Sequence, residues 1–228
     1  MPTTIRVWDL PTRLFHWLLA GCFAGSLVSI QLGGNAVAWH FRFGYATLAL
    51  VVFRVAWGFV GPRYARFSSF PPSPTRAWRY LRGSLGAPPA PGHSPLAALS
   101  VYAMLLAFTI QAVTGLFAND AIMWDGPLKN LVSNATSDAF TRVHKINRVV
   151  CIVLVLLHLC AITYYRLAKR RNLVGPMIVG DSLVAPAHAH AHTRDDAAVR
   201  LRALLLLVAA AAVVWAIVGL GARAGPTF

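Results

Sequence analysis

The chain has 228 residues, 57% of them hydrophobic and only 12% charged, with a formal net charge of +14. Ordinary soluble domains carry roughly 25% charged residues, so this composition, with a mean hydropathy of +0.58, excludes a typical soluble protein and points to an integral membrane protein. The basic residues lie in short stretches between apolar runs, which is a topology signal rather than a nucleic-acid-binding face, and the lack of any Glu leaves no basis for hydrolysis by paired carboxylates.

A membrane helix needs about 20 mostly apolar residues. Five runs qualify, at about residues 14–32, 39–60, 95–117, 143–165 and 201–221. The first is read as a retained span, because it is long and no small-residue cleavage motif ends it. Between the second and third spans lies a proline-rich stretch with Arg63, Arg66, Arg76, Arg79 and Arg82 and no acid. Residues 118–142 instead hold Asp120, Asp125 and Asp138. Arg166, Lys169, Arg170 and Arg171 follow the fourth span. By the positive-inside rule the N-terminus, the 61–94 loop and the 166–200 segment are cytoplasmic, and the C-terminus lies outside. Residues 181–200 read as a polar linker in which His188, His190 and His192 alternate with Ala. Such a tract can bind metal, but it reads first as a flexible, low-complexity connector. Cys22, Cys151 and Cys160 all fall in apolar runs and form no C-x-x-C, so they read as small packing residues.

Ionisable groups within spans raise a functional hypothesis, and this chain places four histidines there: His16, His40, His144 and His158. His144 and His158 share the fourth span. Fourteen residues is close to four whole turns, so both rings point the same way, roughly 21 Å apart along the axis. His16 comes early in a span entering from inside, and His40 early in one entering from outside. The topology therefore pairs His16 with His158 at an inner level and His40 with His144 at an outer one. Taken singly, each histidine could be a hydrogen-bonded packing residue. Two depth-matched pairs are the pattern of axial ligands to two six-coordinate haems inside a helical bundle.

Other residues suit that reading. Arg54 lies 14 residues after His40, near the inner level, where a buried guanidinium would take a haem propionate. Arg42, Lys145 and Arg148 cluster near the outer level and suit the other haem. Gly21, Gly25, Gly44 and Gly115 would let a flat macrocycle approach the backbone, or serve plain helix packing. Phe15, Trp17, Trp39, Phe41 and Tyr45 would wall the pockets or sit in an interfacial belt. His93, just ahead of the third span, has no depth-matched partner. A quinone pocket, a propionate contact and a helix cap all remain open for it.

Several strings carry a family likeness: VWDLPTRLFHWLL, WHFRFGYATLALVVFRVAWGFVGPRYARFSSF, GHSPL, TGLF and VHKINRVVCIVLVLLHLCAITYYRL. Over about residues 5–180 the chain resembles the prokaryotic cytochrome b561 family, in particular the b-type cytochrome subunits of nickel–iron hydrogenases. The resemblance implies an all-α fold, a transmembrane four-helix bundle over residues 1–180 holding two haem b groups. Residues 201–228 would add a C-terminal transmembrane helix and a short tail. By the same resemblance the ligands are His16, His40, His144 and His158. It further implies electron transfer in a bacterial inner membrane, between ubiquinone or menaquinone and a periplasmic c-type cytochrome or hydrogenase-like oxidoreductase. The chain would be either a carrier or the quinone-reactive subunit of such a complex. Two other classes compete: a transition-metal transporter lined by the same histidines, and a structural membrane anchor.

Overall fold

The computed structural model describes residues 3–84, 91–184 and 190–223. A short strand β1 (Thr3–Arg6) leads into α1 (Leu10–Leu32) and α2 (Val37–Val60). Next come α3 (Pro74–Leu81), α4 (Pro95–Gly115), α5 (Asn134–Leu167), α6 (Val174–Val179), strand β2 (Asp181–Val184) and α7 (Ala197–Arg223). Five helices are long and apolar enough to cross a membrane, α1, α2, α4, α5 and α7. Large apolar side chains on them are half or more exposed, among them Leu14, Leu18 and Val28 on α1, Leu156 and Leu157 on α5, and Leu204, Val208 and Trp215 on α7. In water each would forgo about 1.5–3 kcal/mol of burial; lipid is the medium in which they cost nothing.

Helix starts differ from the hydropathy estimates, because polar caps rather than apolar runs decide where a helix begins. Asp9 opens α1 by accepting the amide of Thr12 at 2.9 Å, four residues or more ahead of the greasy run. Ser133 accepts the amide of Thr136 at 3.2 Å, so α5 starts at Asn134 rather than near 143. Asp196 accepts the amide of Val199 at 3.0 Å and opens α7 at Ala197. Between α1 and α2 the chain turns in four residues, which needs left-handed backbone at Gly33 (φ +66°) and Gly34 (φ +52°).

The all-α expectation needs one amendment among the described residues. β1 and β2 pair antiparallel, from Thr3 opposite Val184 to Arg6 opposite Asp181. β2 lies inside the segment expected as a polar linker, as does the first turn of α7. His188 of the His–Ala tract lies outside the described residues.

The chain forms two compact units, each taking part of α1, α2, α4, α5 and α7. The first comprises Met1–His16, Arg54–Met104 and Leu154–Leu205. Its apolar core is Ile5, Val7, Trp8, Tyr64 and Val184, with Met177 and Ala191 against it. Asp9 is fully buried there, accepting from the Thr12 hydroxyl at 2.8 Å and Trp57 Nε1 at 3.2 Å. Burial pushes the Asp9 carboxyl up, against the pull of those donors. The second unit comprises Trp17–Phe53, Leu105–Val153 and Leu206–Phe228. Its core joins Leu48 and Ala49 of α2, Leu116 and Leu128 of the α4–α5 connection, and Val214 of α7.

Candidate functional site

The four histidines meet in two pairs, one in each unit. In the first unit, His16 of α1 faces His158 of α5, with ring centres 6.2 Å apart and planes at 55°. In the second, His40 of α2 faces His144 of α5, again at 6.2 Å, with planes at 84°. α5 brings one ring to each pair because its helix runs unbroken through both positions.

The second pair has its ring tautomers set by the backbone. His40 Nδ1 lies 3.0 Å from the carbonyl oxygen of Ser26 and 2.9 Å from its hydroxyl. His144 Nδ1 lies 2.9 Å from the carbonyl of Gln111. A carbonyl only accepts, so each Nδ1 carries the proton and each Nε2 keeps its lone pair. On His144 that lone pair accepts from the Gln111 side-chain amide at 3.1 Å, and Gln111 is itself held by Asn147 Nδ2 at 2.8 Å. A Cβ at Gly115 would stand 3.0 Å from Cε1 of His144, so any side chain there would press on this ring. Ser26, Gln111, Thr114 and Asn147 were not singled out from the sequence. The signal was there in part: Gln111 is the one amide side chain within the third apolar run.

The other candidates fall as follows. Arg54 is only 3% exposed, and its Nη1 has no hydrogen-bond partner among the described residues. Its guanidinium lies 5.0 Å from the ring centre of Phe67 and 6.0 Å from that of Phe70. Lys145 and Arg148 lie within electrostatic reach of His144. Arg42 is exposed and stacks on Trp39, 4.6 Å from its ring centre. A Cβ built on Gly21 or Gly44 would meet no atom within 4 Å, whereas one on Gly25 would run into Phe43.

A haem iron between each pair fits this geometry. Two metal–imidazole bonds of about 2 Å each, with about 1 Å from each nitrogen to its ring centre, put two axial rings about 6 Å apart. Both pairs match that span, and in the second both Nε2 atoms are unprotonated, that of His144 having to exchange the Gln111 amide for the metal. The orphaned Arg54 Nη1 asks for an anion, which a propionate supplies. A transition-metal path fits less well. Among the described residues no three His, Cys, Asp or Glu side chains gather where they could hold an ion. His192 shares its cavity with Arg63, Arg66, Arg194 and Arg202, cationic company that opposes a metal cation.

Comparisons with known proteins bear on the same stretch of chain. The profile of the family described as prokaryotic cytochrome b561 matches residues 7–180. The chain is 25% identical over 213 residues, 79% of this chain and 89% of the relative, to a probable Ni/Fe-hydrogenase B-type cytochrome subunit of Rhizobium leguminosarum bv. viciae. It is 24% identical over 216 residues to proteins of that same description from Azotobacter chroococcum mcd 1 and Azotobacter vinelandii, covering 78% of this chain and 88% of each relative. No solved structure matches at comparable significance.

Proposed function

This chain belongs to the prokaryotic cytochrome b561 family, and on that footing we propose that it moves electrons across the membrane through two six-coordinate b haems. The first is ligated by His16 and His158, the second by His40 and His144. What carries the reading is the equal 6.2 Å separation of both pairs, the span that two axial imidazoles need.

The bound haem iron supplies reversible one-electron chemistry. All else falls to the chain. With a histidine held on either side of each haem, no place would be left for substrate at the metal, so each site would carry charge and not activate a ligand. The Ser26 and Gln111 carbonyls hold the Nδ1 protons of His40 and His144, which keeps the Nε2 lone pairs directed and makes them better donors. Arg54 stands to neutralise a propionate of the first site, and Arg42 and Arg148 those of the second. Positive charge beside a haem favours its reduced state, so these arginines also tune potential. The apolar exterior of the spans keeps water from both sites.

Around this core we place the membrane quinone pool, ubiquinone or menaquinone, as one redox partner. The other is a hydrogenase-like oxidoreductase or a c-type cytochrome outside the membrane. The names of the relatives support the first of these, and the arginine-rich stretches support a cytoplasmic N-terminus in a bacterial inner membrane.

The test is a reduced-minus-oxidised visible spectrum with haem counted per chain as the pyridine haemochrome. Two low-spin b haems are expected, falling to one in His158→Ala and to one in His40→Ala. A variant that keeps two haems would overturn the ligand assignment, and colourless protein made with ample haem would overturn the cytochrome itself.

A further inference from the structure

His93 is a buried ring that neither histidine pair uses. Helix capping does not employ it: Ser94 opens α4, its hydroxyl accepting from the amide of Ala97 at 3.2 Å and its carbonyl from that of Ala98 at 2.8 Å. The imidazole is instead gripped between aromatics. Phe70 lies 4.1 Å away centre to centre, tilted by 38°, and Trp8 meets it edge-on at 4.8 Å. In that grip Nδ1 is buried with no hydrogen-bond partner among the described residues, and the same is true of Arg54 Nη1. The two groups are close enough to feel each other. Burial first, then the Arg54 cation, pushes His93 down to about 3, so its ring is neutral.

Leaving one buried polar group unpaired costs about 1–3 kcal/mol, and proteins rarely keep two side by side without a ligand that joins them. The charge decides what that ligand is. A guanidinium buried this deeply needs a formal negative charge, not merely an acceptor. Asp9 acts on Arg54 through space but does not provide the contact, since its oxygens are engaged by Thr12 and Trp57 and Arg54 forms no ion pair among the described residues. A quinone carbonyl would accept a hydrogen bond but bring no negative charge to the contact. A carboxylate answers both orphaned nitrogens at once. We propose that His93 Nδ1 and Arg54 Nη1 together hold one propionate of the haem at His16 and His158, which belong to the same unit. This rests on the haem reading above and makes His93 a positioning residue for that haem.

The test uses the full-length protein in lipid nanodiscs, with a redox titration of each haem and resonance Raman of the propionate bending modes. His93→Leu removes the donor, and His93→Asn keeps one near the Nδ1 position. The Leu variant should retain two haems per chain, lower the midpoint potential of one of them and shift its propionate mode. The potential falls because a less compensated carboxylate favours ferric iron. The Asn variant should recover part of both changes. Unchanged potentials and an unchanged propionate mode in the Leu variant overturn the proposal. So does a defect confined to quinol-driven reduction, which would assign His93 to a quinone site. If the Leu variant does not assemble, His93→Gln is titrated against wild type with the same two readings. Failure of the haem reading itself looks different: wild-type protein would then hold fewer than two haems.

Discussion

Gly115 and Asp9 are single residues whose surroundings leave little room for replacement. Any side chain at Gly115 starts 3.0 Å from the His144 ring. Gly115→Val should therefore tilt His144 off axis and leave one haem per chain by the haemochrome assay, the His16–His158 haem being kept. Asp9 caps α1 and takes the indole proton of Trp57 in a fully buried setting. Asp9→Ala removes a cap and orphans a buried donor, which together should lower the melting midpoint by roughly 5–10 °C. Asp9→Asn should fall less than half as far. A raised carboxyl pKa means that its stabilising contribution is present at low pH and lost as pH rises, so at neutral pH the buried charge is a cost that Asn removes.

At the level of elements, α5 and α7 behave differently. α5 is 34 residues long and carries one histidine of each pair, so the stretch from His144 to His158 serves both. α7 begins beyond the stretch that matches the family and carries no histidine. Its Val214 nonetheless sits in the second core with Leu48, Leu116 and Leu128, and Ile217 and Val218 pack against them. Truncation after Asp196 should accordingly leave two haems per chain while lowering the melting midpoint in detergent by at least about 3 °C, the loss expected for one buried valine or more. A truncated chain that lost haem would give α7 a direct part in the sites.

For the molecule as a whole, the first unit has a charge hub in Asp195, whose side chain is 6% exposed. It accepts from Arg6 at 2.9 Å, from the amide of Leu10 at 3.1 Å and from Arg200 at 3.3 Å, tying β1, α1 and α7 together. Burial pushes the carboxyl up, but the hydrogen bonds from Arg200, Leu10 and Arg6 outweigh it and hold the group below the usual carboxylate range. For a depressed carboxyl, the stability it contributes is complete above the ordinary value of about 3.9 and is lost as pH falls through the folded-state value. The difference in melting midpoint between wild type and Asp195→Asn should therefore be constant from pH 7 to about pH 5 and shrink below about pH 4. A difference independent of pH throughout would show that the carboxylate charge contributes nothing.

The sequence alone determined the membrane class, the five spans to within four residues except at the start of α5, and the spacing that puts His144 and His158 on one face of that helix. Each of these rests on local period: about 20 apolar residues cross a bilayer, and 14 residues return a helix to the same face. The caps Asp9 and Ser133 are local signals too, and they fix the starts of α1 and α5. Only the tertiary structure decided what the paired rings lean on. The carbonyls of Ser26 and Gln111, the close approach of Gly115, the aromatic grip on His93 and the Asp195 hub join residues that come together only when helices pack. The β1–β2 pair likewise joins segments some 175 residues apart in sequence. Such contacts have no sequence period, because packing brings each of them about and no local repeat encodes it.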